Sequence, residues 1–143
     1  MHWPDPREIR PTLEKIMATV KKAAAPVALE LKTLVPARDF DLSKRFYRAI
    51  GFNEDWTNGE IAYFKNGNIN FLLRSEEDPT HAPGMQMQII VESVDEWYDY
   101  IRAALAAFGI DVEPPATRPW GARDFVVTDP SGVRWRITQH NLI

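Results

Sequence analysis

One strand–helix–strand unit is written twice in this chain of 143 residues. Internal repetition constrains a fold more than any single motif does. The first copy opens with an apolar strand, Leu29 to Val35, whose ladder ends at Pro36. Asp39 or Asp41 caps the following helix by accepting from its free N–H groups. Leu42, Phe46 and Ile50 recur every fourth residue as the buried face of that helix, and Gly51 ends it, as glycine does where the chain turns left-handed. Two short runs, Glu60–Lys65 and Asn68–Leu73, flank Asn66-Gly67, a strong hairpin signal.

The second copy opens at Met85–Val91, where Met85, Met87, Ile89 and Val91 alternate with Gln86, Gln88 and Ile90. That alternation marks a half-buried strand. Ser93-Val94-Asp95-Glu96 is a capping box. Val94, Trp97, Tyr98, Ile101, Leu105 and Phe108 make a long apolar helix face that stops at Gly109. A Pro-rich loop, a strand Arg123–Thr128, the turn Asp129-Pro130-Ser131-Gly132 and a strand Val133–Gln139 complete it. Proline at the second turn position and glycine at the fourth fit a type I turn. Each copy alone exposes one apolar sheet face, so the two are expected to share one curled mixed sheet with helices outside, an α+β fold. Residues 29–143 then form a single domain of two modules, 29–74 and 85–140, joined by the linker 75–84.

Residues 1–28 form an N-terminal extension. Lys15, Lys21 and Lys22 interrupt it, so it does not resemble a secretory signal, and a cytoplasmic location is expected. Pro11 followed by Leu13, Ile16, Met17 and Val20 reads as an extra short helix with one apolar stripe, covering the domain or meeting a second copy. A net charge of −3 argues against nucleic acid. No apolar run approaches the roughly 18 residues of a membrane span. With no cysteine, thiolate metal sites and cysteine nucleophiles are excluded. His2, His81 and His140 fall in a tail, the linker and the C-terminal end, where solvated side chains are the plain reading.

Val35-Pro36-Ala37-Arg38-Asp39 leading into Ser43-Lys44-Arg45-Phe46-Tyr47 and Gly51-Phe52, then Pro119-Trp120-Gly121 with Arg123 and Phe125, then Asp129-Pro130-Ser131-Gly132, resemble the vicinal-oxygen-chelate superfamily. That superfamily holds glyoxalases, extradiol dioxygenases, fosfomycin-resistance enzymes and bleomycin-resistance proteins. The resemblance covers residues 31–140. It implies two βαβββ modules curled into a cup, with metal ligands on the first, fourth, fifth and eighth strands. Counted from Asp39, Asp95 and Asp129, three of these positions fall on Lys32, Gln86 and Arg136, and the fourth-strand position falls near Asn70 to Leu72. Lysine and arginine are cations without a free lone pair, and one glutamine does not make a metal site. A shift of two residues brings Glu30 or Leu34, and Arg134 or Thr138, so no shift yields a His/His/Glu set.

This departure resembles the bleomycin-resistance branch, which binds its drug without metal-dependent catalysis in clefts of a dimer. The resemblance therefore implies a small-molecule binder without a cofactor, homodimeric, sequestering an antibiotic or similar aromatic ligand. A glyoxalase-like metal-dependent lyase or isomerase with an atypical site is the second reading, and a module whose cup is filled by its own side chains the third. The residues expected at the ligand are Lys32, Trp56, Asn70, Phe71, Gln86, Trp120 and Arg136. Trp56 stands beside Glu54 and Asp55 in a loop, where a ring face attracts a cation by roughly 0.5–2 kcal/mol. Trp120 walls the cleft or closes the end of its module. Lys32, Gln86 and Arg136 are expected as a cationic cluster on the cup floor, either an ion-pair network or a carboxylate anchor. Trp97 and Tyr98 belong to the core, and Trp135 points away from the cup.

Overall fold

The computed structural model of the chain describes residues 3–20 and 24–140. Two compact units divide it, Met1–Leu31 and Lys32–Ile143. The first holds helix α1 (Pro6–Val20), which starts earlier than Pro11. Asp5 Oδ1 accepts from Arg7 N at 2.8 Å, and Pro6 takes the first helical position, where a missing N–H costs nothing. Leu13, Ile16 and Met17 are exposed. His2 and the side chain of Val20 lie outside the described residues.

The second unit runs β1 (Leu34–Ala37), α2 (Phe40–Ala49), β2 (Asn53–Thr57), β3 (Ile61–Asn66), β4 (Ile69–Ser75), β5 (Gln86–Ile90), α3 (Val94–Ala106), β6 (Ala116–Thr117), β7 (Ala122–Thr128) and β8 (Arg134–His140). Strand, helix and three strands thus occur twice. The strands form two four-stranded sheets, ordered β1-β4-β3-β2 and β5-β8-β7-β6, and not one continuous curled sheet. β1 runs parallel to β4 and β5 parallel to β8, and the remaining pairs are antiparallel.

Two strands differ from the sequence expectation. β1 starts at Leu34 and continues through Pro36 to Ala37, which pair with Arg74 and Ser75. β1 lies at the sheet edge, where proline's missing N–H leaves no gap in a central ladder. β2 forms where Trp56 was expected in a loop. It is an outer strand exposed on both faces, so Asn53-Glu54-Asp55-Trp56-Thr57 shows no alternation, and a bulge between Glu54 and Trp56 breaks its register.

Caps and turns follow the sequence. Asp39 Oδ1 accepts from Leu42 N at 3.1 Å and Ser93 Oγ from Glu96 N at 3.3 Å. Asn66 Nδ2 donates to Gly51 O at 2.9 Å, tying the β3–β4 hairpin to the end of α2. Gly132 N donates to Asp129 O at 3.0 Å, closing the β7–β8 turn with Gly132 at φ +99°.

The buried face of α2 is Ser43, Phe46 and Tyr47, with Ile50 just beyond, and Leu42 is only partly covered. Tyr47 lies at the centre of the core. Its ring centroid is within 4.8–6.2 Å of Phe46, Phe52, Phe64, Phe71 and Trp135. Phe71 and Trp135 come from different sheets and stand 5.0 Å apart, so the two sheets meet through these faces. Trp135 Nε1 donates to Tyr47 Oη at 2.8 Å, and Tyr47 Oη donates to Asp129 Oδ2 at 2.5 Å. Asp129 Oδ1 accepts from Ser131 N and Val133 N at 2.9 and 2.8 Å. Burial lifts the Asp129 carboxyl above its ordinary 3.8, while Tyr47 and the turn N–H groups pull it back.

Tyr47→Phe leaves Asp129 Oδ2 and Trp135 Nε1 without partners and should cost about 2–4 kcal/mol. A raised carboxyl favours the fold fully below its unfolded value and loses that contribution as pH rises through the folded value. Removing the hydroxyl raises Asp129 further. The deficit of the variant should therefore be larger at about pH 7 than at about pH 4, read by urea unfolding at both. A deficit independent of pH would refute this account of the network.

Candidate functional site

Strand alternation divides each sheet into a core face and an open face. In the first sheet Val35, Ala62, Phe64, Phe71 and Leu73 are buried. The opposite face carries the paired row Leu34, Leu72, Tyr63 and Trp56. On the same face Lys32 Nζ donates to Asn70 Oδ1 at 3.3 Å and lies 4.3 Å from the centre of the Tyr63 ring. Trp56 is 53% exposed there.

In the second sheet Ile89, Phe125, Val127, Trp135 and Ile137 are buried on the core face. Its open face carries Gln86, Gln88 and Ile90 on β5, Arg134, Arg136 and Thr138 on β8, and Asp124, Val126 and Thr128 on β7. Asp124 is only 1% exposed. Its Oδ1 accepts from Arg118 Nε at 3.0 Å and is ion-paired with Arg118 Nη2 at 2.9 Å, and its Oδ2 is ion-paired with Arg136 Nη1 at 3.1 Å. Beside it Gln88 Nε2 donates to Thr138 Oγ1 at 3.1 Å. These groups floor a cavity of about 420 Å³ that Trp120 and His140 also line. Trp120 stands in the turn closed by Gly121 N to Arg118 O at 3.1 Å and is 72% exposed. A neighbouring cavity of about 370 Å³, between residues 110–114 and β7, shares Arg118 and Arg136 with the first.

The seven expected ligand residues therefore separate. Gln86 and Arg136 lie on one open face, with Trp120 beside Arg136. Lys32, Asn70 and Trp56 lie on the open face of the other sheet. Phe71 is a correction: at 2% exposure it is packed against Tyr47, Phe52, Phe64 and Trp135, and alternation that opens Asn70 must bury Phe71. The cluster expected from Lys32, Gln86 and Arg136 is not assembled. The sheets meet through their core faces, so their open faces turn away from the shared core.

Arg118 and Asp124 escaped the sequence reading. Asp124 carried a usable signal, because an acid in a central strand is disfavoured unless partnered. Arg118, in a Pro-rich loop, carried none. Arg123, part of the motif around Trp120, does other work. Its guanidinium forks onto Asp95 at 2.9 and 3.3 Å and fastens β7 to the start of α3, holding the Asp95 carboxyl below its ordinary value.

The donor set does not fit a divalent metal. The expected positions hold the cations Lys32 and Arg136, the amide Gln86 and, near the fourth, Asn70 to Leu72, and no group of three His, Cys, Asp or Glu among the described residues is placed to hold an ion.

The model of the Glyoxalase/Bleomycin resistance protein/Dioxygenase superfamily matches residues 31–137. A bleomycin-binding protein complexed with bleomycin has a TM-score of 0.67 at 18% identity, covering 80% of this chain and 100% of that one. The bleomycin-binding protein of bleomycin-producing Streptomyces verticillus, complexed with copper(II)-bleomycin, gives 0.65 at 20% identity over 83% and 100%. A lactoylglutathione lyase from Agrobacterium tumefaciens gives 0.60 at 21% identity over 80% and 96%. At these identities the likeness is one of fold. No curated protein sequence matches the chain.

Breaking a buried ion pair by removing one partner costs about 3–5 kcal/mol. Arg118 and Arg136 are each about a third exposed, which lowers that figure. Asp124→Ala should thus lose about 2–3 kcal/mol in chemical unfolding. A loss below about 0.5 kcal/mol would mean that the arginines do not depend on it.

Proposed function

Because the chain belongs to the Glyoxalase/Bleomycin resistance protein/Dioxygenase superfamily, we propose that it is a small-molecule binder that sequesters an aromatic ligand, antibiotics included, without metal-dependent catalysis. The observation that carries this reading is the cavity of about 420 Å³ with a hydrogen-bonded polar floor and an exposed tryptophan at its rim. Binding sites of this size combine apolar or aromatic walls with a few fixed polar groups. A ring that stacks on Trp120 removes an exposed indole from water, and aromatic anchors dominate binding energies. The metal-dependent lyase reading loses support because the ligand positions that the resemblance implies fall on Lys32, Gln86 and Arg136, with the fourth near Asn70 to Leu72.

The cleft is completed by a second copy of the chain. Leu34 and Trp56 on one open face, and Ile90 on the other, are each about half exposed, at 45%, 53% and 54%. These are large side chains for solvent to cover, and a partner's sheet laid across them supplies the missing wall. Among the described residues no helix is long and apolar enough to cross a membrane, and the reading puts the binder in the cytoplasm.

Calorimetric titration with bleomycin and a panel of aromatic antibiotics tests the reading. At least one should bind with a micromolar Kd or better, and Trp120→Ala should weaken it by about tenfold or more. Sedimentation should report twice the 16.4 kDa chain mass. Failure of every compound to bind at micromolar levels would sink sequestration, and a monomer at all concentrations would sink the shared cleft. Zn²⁺, Ni²⁺ or Mn²⁺ should leave the melting temperature within about 1 °C, since a site that binds only the folded state raises it.

A further inference from the structure

The polar floor carries more positive charge than the fold requires. One guanidinium is enough to neutralise a buried carboxylate, yet Asp124 holds two, with both oxygens occupied. Among the described residues Asp124 is the one acid lining this cavity, so Arg118 and Arg136 leave a surplus of one positive charge there. Each guanidinium keeps about a third of its side chain exposed, 35% for Arg118 and 33% for Arg136. Arg118 spends Nε and Nη2 on Asp124, and Arg136 spends Nη1, which leaves further N–H donors on both. The shared carboxylate fixes two planar forks beside one another and lowers the ordering cost of a second oxyanion. The neighbouring cavity is different. It shares both arginines but adds two acids, Asp111 and Glu113, against one further cation, Arg134, so the groups it adds are net acidic and the side of Trp120 is the one that favours an anion.

We propose that this cavity takes an aromatic acid, its carboxylate on Arg118 and Arg136 and its ring against Trp120. The proposal rests on the binder reading above and narrows it: the ligand is anionic. A cation would meet the guanidiniums before any carboxylate, since Asp124 is buried beneath them.

Three probes of one shape separate the cases: 2-naphthoate, 2-naphthylmethanol and 2-naphthylmethylammonium, titrated calorimetrically into the full chain. Naphthoate should bind about tenfold or more tightly than the alcohol, because only the carboxylate meets the guanidiniums with opposite charge and two acceptor oxygens for their forks. The ammonium should bind weakest. Arg136→Gln and Arg118→Gln should each shrink the ratio of naphthoate to alcohol affinity toward one, with the urea-unfolding midpoint measured alongside to report an intact fold. Arg136→Lys should recover part of the preference through charge without the fork. Equal affinity for acid and alcohol, or tightest binding of the ammonium, overturns the anion assignment and leaves the binder reading standing. Absence of binding by all three overturns the aromatic-acid assignment, and the antibiotic panel decides the binder reading.

Discussion

The hydrogen-bonded chain from Trp135 through Tyr47 to Asp129 joins the first helix of the repeat to the β7–β8 turn and the last strand, 82 and 88 residues away along the chain. Every member has its partner. The indole N–H is accepted, the phenol both accepts and donates, and the carboxylate also takes two turn N–H groups. A network with no orphan polar atom specifies one arrangement of the core, because any slip leaves a donor or acceptor buried alone. Two repeats that share a pattern could pack in several ways. This chain selects the one that sets the core faces of the two sheets against each other.

That choice decides where chemistry is possible. With Phe71 and Trp135 in contact at 5.0 Å, the residues next to them on each strand, Asn70 and Arg136, are driven to the outside. The polar side chains therefore sit on two separate platforms. On the second platform a buried acid between two arginines orders the floor, and an exposed tryptophan stands at the edge.

How much of this was legible follows from what short-range pattern can carry. The caps at Asp39 and Ser93, the turn at Asp129 and the hairpin at Asn66 are local, so a few residues specify each. The face assignment of β5 followed from alternation, while Trp135 was set opposite Arg136 by the register that the family resemblance implies. β2 stayed hidden, since an outer strand with both faces wet has no reason to alternate. Tyr47 was hidden for the opposite reason: spacing every fourth residue picked Leu42, Phe46 and Ile50, while the helix turns its Ser43 and Tyr47 inward. The assembly of Arg118, Asp124 and Arg136 depends on contacts between a loop and two strands, and no periodicity encodes it. The division into two sheets is likewise a matter of how modules pack.

The edges of those sheets are unequal. β1 carries Pro36, β2 is bulged and acidic, and β6 is two residues long. Each of these features blunts an outer strand against pairing with a stranger. β5 has none of them. Gln86 to Ile90 is regular, uncharged and bordered by a partner on one side alone. The two sheets are thus guarded on three flanks against edge-to-edge growth, and β5 is the flank left open to it.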